Sequence, residues 1–168
     1  MRPNSPVSLV VAEDQHFVWM LGNGPISDLR LPPGGVDEPQ TLQMLRCHAA
    51  ELRAAGSSGS WMIVVDGEVV GLCGYKHARD VDGAVEVGYG IAASRRRLGY
   101  ATRAVTLLLQ ATAGDSRVSC VTAETAVDNV ASQRVLELNG FARTGTRTDP
   151  QDGDLIQWRK ALRHDART

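Results

Sequence analysis

The stretch Ile91-Ala-Ala-Ser-Arg-Arg-Arg-Leu-Gly-Tyr-Ala-Thr102 decides the reading of the whole chain, because it joins a strand-like run to a helix-like run through a basic turn. Before it, residues 84–92 (AVEVGYGIA) read as a strand. After it, Ala101, Ala104, Val105, Leu108, Leu109 and Thr112 line one face of a helix running from Gly99 to Ala113, with Gly114 as its stop. The first backbone N–H groups of such a helix have no intrahelical partners, and the helix dipole places roughly half a positive charge there. Gly99 and Ala101 are small enough for an anion to approach the backbone, and Arg95, Arg96, Arg97 and Arg103 add charge around it. The segment therefore suits a diphosphate. A solvated arginine cluster beside a helix cap is the plainer alternative.

Three phosphate-binding motifs compete for it. A P-loop needs a Gly-Lys pair, and the chain has none. Gly88-Tyr-Gly90-Ile-Ala-Ala93 matches a loose dinucleotide fingerprint, GxGxxA, after a strand. There, however, the helix should begin beside the glycines, whereas Ser94 and three arginines intervene here. The third motif, Arg96-Arg97-Leu98-Gly99-Tyr100-Ala101, has the form [QR]xxGx[GA].

Outward from this loop the elements follow closely. Val7 to Ala12 suits a strand, and Asp14 can cap a helix carrying Phe17, Val18 and Leu21. Residues 23–40 hold four prolines and three glycines and read as a long loop, the kind that often serves binding. Helical spacing resumes from Thr41 to Ala55 through Leu42, Leu45, Ala49 and Leu52. Asp66-Gly67 between two β-rich runs predicts a tight hairpin, since its turn needs positive φ. Val118 to Glu124 reads as a strand, Val130 to Leu138 as a helix, and Phe141 to Thr148 with Asp154 to Trp158 as a closing strand pair. The order β-α-α-β-β-β-α-β-α-β-β predicts an α/β (α+β) domain, with antiparallel early strands and helical crossovers later.

The composition narrows the function. The 168 residues suit one domain, taken as residues 1–168, and are 43% hydrophobic and 22% charged. Eighteen basic residues, sixteen of them Arg with Lys76 and Lys160 as the exceptions, face nineteen acidic ones. The formal charge of −1 excludes a broad nucleic-acid-binding surface but not one small anion site. Cys47, Cys73 and Cys120 form no CxxC pair, and His16, His48, His77 and His164 are scattered, so neither a disulfide framework nor a metal site is expected. Arg2 is followed by no apolar run of signal-peptide length, and no stretch suits a bilayer crossing. A soluble, cytoplasmic, bacterial protein is the expectation.

With its loop motif in this element order, the chain resembles the GNAT superfamily of acyl-CoA-dependent N-acyltransferases over nearly its whole length. Asn129-Val-Ala-Ser132, Arg134-Val-Leu and Asn139-Gly-Phe141 resemble the NxxS…GF signature of one branch, which includes the acetyltransferases of ribosomal-protein N-termini. The resemblance implies a mixed, mostly antiparallel sheet of six to seven strands with a splayed pair, flanked by about four helices. It implies acetyl-CoA as cosubstrate, no metal, and an amine acceptor: a peptide N-terminus, amino acid, polyamine or antibiotic-like amine. Homodimers are common among such proteins.

By that resemblance Tyr89, Gly90 and Ile91 would bond the pantetheine arm, and Arg96, Arg97, Leu98, Gly99, Tyr100, Ala101 and Thr102 would hold the diphosphate. Gly88 and Gly90 fit independently, since strand glycine marks a bulge or close backbone approach. Asn129 would bond the pantetheine amide, or act as an N-cap. Ser132 would protonate the leaving thiolate, or back-bond its helix.

An attacking amine must be neutral. A lysine amine, with a pKa of about 10.4, needs a strong base, whereas an α-amine near 7.7–8.0 is already partly neutral. Glu86 shares the strand face of Gly88 and Gly90 and is the preferred base, directly or through water, with Glu124 second. Cys120 sits in an apolar strand and reads as inert, so direct transfer in a ternary complex is expected. Loop 23–40 and the closing turn 149–153 are expected to wall the acceptor pocket. Their acids Asp28, Asp37, Glu38, Asp149 and Asp152 either attract a cationic amine or are ordinary solvated loop acids, and Trp19, Trp61 and Trp158 are expected to serve packing. A catalytically silent acyl-CoA sensor is the alternative from another class.

Overall fold

In the computed structural model, residues 5–24, 28–57 and 59–162 are described. Arg2, His164 and residues 25–27 of the long loop lie outside them. The elements are β1 (Val7–Val11), α1 (Asp14–Met20), α2 (Pro39–Ala54), β2 (Ser60–Val65), β3 (Glu68–Tyr75), β4 (Ala84–Ile91), α3 (Tyr100–Ala113), β5 (Cys120–Ala126), α4 (Val130–Leu138), β6 (Ala142–Asp149) and β7 (Gly153–Ala161). A 3-10 turn, Ala93–Arg95, precedes α3. The seven strands form one sheet in the order β1-β2-β3-β4-β5-β7-β6. This is the expected GNAT-like α/β fold: a mixed, mostly antiparallel sheet flanked by four α-helices.

The β2–β3 hairpin turns at Asp66 and Gly67, with φ of 49° and 75°. Positive φ at both centres gives a turn whose twist matches the flanking strands. β4 and β5 are parallel neighbours, so the chain must cross over between them, and α3 is that crossover. α3 buries Ala104, Val105 and Leu108 against Val70, Val85, Val87 and Val121 on one side of the sheet. α1 and α2 bury Phe17, Met20, Leu42 and Ala49 against Met62, Val64 and Val69 on the other. Each fully buried Leu, Val or Phe contributes about 1.5–3 kcal/mol relative to exposure. No helix among the described residues is long and apolar enough to cross a membrane.

Several boundaries moved: Glu13 rather than Asp14 caps α1, and β7 runs Gly153–Ala161 rather than Asp154–Trp158. α2 begins at Pro39, two residues before the expected Thr41, because Pro at the first helical position gives up only an N–H that had no partner. β5 runs Cys120–Ala126 rather than Val118–Glu124. The long loop is also anchored: Arg30 N–H donates to the Gly67 carbonyl and the Arg30 carbonyl accepts from Val69 N–H, both at 2.9 Å.

The sheet splits at its one parallel junction. β4 and β5 pair only at Ala84–Cys120, Val85–Val121 and Glu86–Thr122. Beyond Glu86, β4 stays with β3 as far as Ile91, while β5 stays with β7 as far as Ala126. Gly71 allows this close β3–β4 contact, since a Cβ there would overlap the Gly90 carbonyl. A wedge-shaped gap with unpaired strand edges results.

Candidate active site

The gap opens into a cavity of about 800 Å³ that runs along the start of α3. Tyr89, Gly90 and Ile91 form one wall, Arg96, Arg97, Gly99, Ala101 and Thr102 a second, and Asn129 and Ser132 a third. Gly99 is the α3 N-cap, with φ of 73°, and Arg97 also adopts positive φ, 63°. Left-handed backbone at a non-glycine residue costs of order 1 kcal/mol and persists where its surroundings enforce it. Here it places the helix start, from Gly99 to Thr102, on the cavity wall. Nothing lies within 4 Å of the place a Gly99 Cβ would take, so the cradle is open. Open donors, a helix dipole and flanking guanidinium groups fit a diphosphate.

The arginine cluster resolves into two functional pairs. Arg95 forms a two-pronged ion pair with the buried Glu68, at 2.6 and 3.1 Å, so its charge is already matched. Arg103 donates to the carbonyls of Ser5 at 2.8 Å and Leu98 at 3.0 Å and lies 5.1 Å above the Tyr100 ring. Both arginines brace the loop; Arg95 still lines the cavity, whereas Arg103, expected beside the anion, does not. Arg96 and Arg97 line the cavity beside Arg95, with Arg96 Nε donating to the Ile91 carbonyl at 3.2 Å. Two other assignments narrow. Leu98 does not line the cavity, and Tyr100 packs its ring in the core, 1% exposed, leaving its backbone N–H for a ligand.

Asn129 caps α4, its side-chain oxygen accepting from Ser132 N–H at 3.1 Å. The N-cap reading is thus realised, while the Asn129 amide NH2 makes no hydrogen bond among the described residues. The Ser132 hydroxyl likewise makes none, so it does not back-bond its helix. Tyr89 reaches across the gap, its hydroxyl donating to the Ser132 carbonyl at 3.0 Å. Burial pushes the Tyr89 phenol up to about 12.

A second cavity, of about 520 Å³, lies between α1, α2 and the β3–β4 face. It shares Val36, Asp37, Tyr89 and Gly90 with the first, so the two meet beside Gly90. Gly88 and Gly90 form part of its floor. Glu86 lines neither cavity. Lys76 Nζ stands 2.9 Å from Glu86 Oε1, which is shielded from solvent and receives no well-directed hydrogen bond. Glu124 is gripped by Arg147 at 2.6 and 2.7 Å, and this ion pair lowers its pKa, making it a weaker base. Cys120 is buried and lines no cavity. Cys73 lines the second cavity, but burial pushes its thiol to about 12. No group of three or more His, Cys, Asp or Glu among the described residues is placed to hold a metal ion.

The acidic walls are a correction. Of the five expected acids, Asp37 alone lines the second cavity, and Glu38 lines the first. Asp149 is held by Arg147 at 2.7 Å, which lowers its pKa to about 2. Trp61 lines the second cavity, edge-on to Tyr75 at 5.4 Å, whereas Trp158 is buried and donates to Thr125 at 3.0 Å. Lys76, Tyr75 and His48 also line it, and no sequence signal had placed them there. Strand alternation does put Lys76 across from Glu86, once the β3–β4 register is known.

A mixed sheet split at its parallel pair, with an anion cradle at the split, is the architecture of the GNAT acyltransferase class. The family model described as "Acetyltransferase (GNAT) domain" matches residues 12–142, and the chain belongs to that family. An uncharacterized N-acetyltransferase of Bacillus subtilis (strain 168), YjdG, is 37% identical over 84 residues. That match covers 49% of this chain and 50% of YjdG, so the chain matches about half the length of this curated relative. Among solved structures, RimL, a ribosomal L7/L12 alpha-N-protein acetyltransferase in complex with coenzyme A, superposes with a TM-score of 0.72 at 16% identity, covering 95% of each chain. RimJ from Mycobacterium smegmatis, with CoA-disulfide, gives 0.71 at 20% identity, covering 95% of this chain and 83% of that one. The aminoglycoside acetyltransferase AAC(6')-Ib in complex with coenzyme A gives 0.67 at 18% identity, covering 93% of this chain and 95% of that one. At these identities the superpositions show the fold.

Proposed function

We propose that the chain is an N-acetyltransferase that moves an acetyl group from acetyl-CoA to a primary amine, a protein N-terminus or a small-molecule amine, by direct attack in a ternary complex. The observation that carries this reading is the meeting of two cavities beside Gly90, one fitted to a diphosphate-bearing donor and one to a compact acceptor. Acetyl-CoA brings the activated acetyl group as a thioester. Arg96, Arg97 and the N–H groups from Gly99 to Thr102 bind its diphosphate. The unpaired edge of β4 from Tyr89 to Ile91 and the Asn129 amide bond the pantetheine arm, which aims the thioester at the junction.

Ser132 gives its hydroxyl proton to the departing sulfur as the C–S bond breaks and the C–N bond forms. Glu86, set back from the cavity behind Lys76, takes the amine proton through a water. Cys120 lines neither cavity and burial pushes the Cys73 thiol up, which accords with direct transfer. Three unpaired cysteines also accord with a reducing, cytoplasmic setting.

The test is incubation with acetyl-CoA and a panel of amines, following free CoA and the mass of each acceptor. Matched CoA release and an acetyl-sized mass gain support the reading. Acetyl-CoA binding without turnover across the panel makes the protein a sensor, and preference for NAD over acetyl-CoA in calorimetry rejects the reading outright.

A further inference from the structure

The second cavity is neither acidic nor strongly polar. Its walls are Phe17, Leu45, Trp61, Leu72 and Tyr75, with one carboxylate, Asp37, among the described residues that line it. Lys76, His48 and His77 supply basic groups. A polyamine or aminoglycoside carries several ammonium groups, each needing an anionic or well-hydrated partner once desolvated. One carboxylate facing a lysine cannot supply them.

The charged groups are arranged along β4. Asp37 Oδ1 accepts from Glu38 N–H at 2.8 Å, and Oδ2 comes within 3.9 Å of the place a Gly90 Cβ would take. The Lys76 stem passes 3.6 Å from the corresponding place at Gly88. Gly88 and Gly90 share a strand face, about 7 Å apart. An amino group and a carboxylate on one carbon fit along that face between Asp37 and the Lys76 side chain, each making an ion-pair contact of roughly 2.8 Å once the Lys76 ammonium turns from Glu86 toward Gly88. Lys76 meets Glu86 through one contact, while an ammonium has three donors. Asp37 also sits where the cavities meet, which sets the amine beside the thioester.

Resting on the acetyltransferase reading above, we propose that the acceptor is a free α-amino acid with an aromatic or large aliphatic side chain. Asp37 holds its amino group, Lys76 its carboxylate, and the Trp61–Tyr75 wall its apolar side chain. The amine keeps its proton only until the base removes it, so Asp37 orients while Glu86 and its water deprotonate.

Purified protein is assayed with acetyl-CoA and L-phenylalanine, L-phenylalaninamide, phenethylamine, an Ala-Phe dipeptide or spermidine, while acetyl-CoA binding is measured separately by calorimetry. The expected kcat/KM for L-phenylalanine exceeds those of its amide and phenethylamine by about tenfold, the loss of roughly one ion-pair contact. Spermidine is slower still. Lys76→Met collapses the phenylalanine-to-amide ratio toward one, and Lys76→Arg retains most of it. A ratio near one in the unaltered protein, a faster dipeptide or spermidine, or acetyl-CoA binding with no acetylated amino acid overturns the proposal. Failure to bind acetyl-CoA overturns the acetyltransferase reading itself.

Discussion

The Tyr89 hydroxyl donates to the Ser132 backbone carbonyl at 3.0 Å, tying the splayed strand β4 to the first turn of α4 across the gap between β4 and β5. The bond fixes how far Ser132 stands from the strand edge. Tyr89→Phe removes it, at a cost of about 1 kcal/mol, and weakens acetyl-CoA binding. Because the folded phenol titrates at about 12 against an ordinary 10.0, its contribution is intact below pH 10 and is lost as pH rises toward 12. Denaturant titrations at pH 8, 10 and 11.5 should show the parent protein losing stability faster than Tyr89→Phe over the last interval.

Gly99→Ala separates backbone strain from ligand approach. The site has room for the methyl group, so the expected loss of stability, about 1–2 kcal/mol, comes from φ of 73° alone. The same methyl group intrudes on the anion cradle. Acetyl-CoA affinity in calorimetry should therefore fall by more than tenfold, well beyond what the stability loss explains.

Neighbouring arginines should part company when each is replaced. Arg95→Ala leaves Glu68 buried without its partner, so melting temperature should fall markedly. Arg97→Ala keeps a Cβ at the left-handed position, so the backbone strain is unchanged, but it removes the proposed phosphate ligand. Its melting temperature should stay close to the parent value while the KM for acetyl-CoA rises. Thermal melts and initial-rate kinetics on the two variants make the comparison.

Ser132→Ala tests the proton donor. The α4 cap uses Ser132 N–H rather than its hydroxyl, so the fold and acetyl-CoA affinity should be retained. The expected result is a fall in kcat of about 100-fold, the lower range for general acid catalysis. An unchanged kcat would assign the proton to water instead.

The backbone was legible because its signals are local. Asp66-Gly67 encodes its turn in two residues, and the α3 face is written in a period of 3.6. Pro39 was less so, since proline marks both loops and helix starts. Side-chain partnerships were legible only where alternation placed them. The positions of Gly88 and Gly90 on one face followed from counting, but the capture of Arg95 by Glu68 joins residues 27 apart in sequence. The same holds for Arg147, which removes Glu124 and Asp149 from any acceptor wall. Asp37 was named among five acids, and only the packing of the long loop against Gly90 singled it out.

The broken ladder between β4 and β5 leaves peptide groups from Val87 to Ile91 and from Ala123 to Ala126 facing one another without pairing. An amide-bearing chain laid between them acts as an eighth strand, restoring hydrogen bonds that the polypeptide forgoes. Ligand and sheet then melt as one unit, and the protein's heat tolerance should follow acetyl-CoA concentration logarithmically, as linkage requires. Abundance of the protein in a cell would in that way track the supply of its own acyl donor.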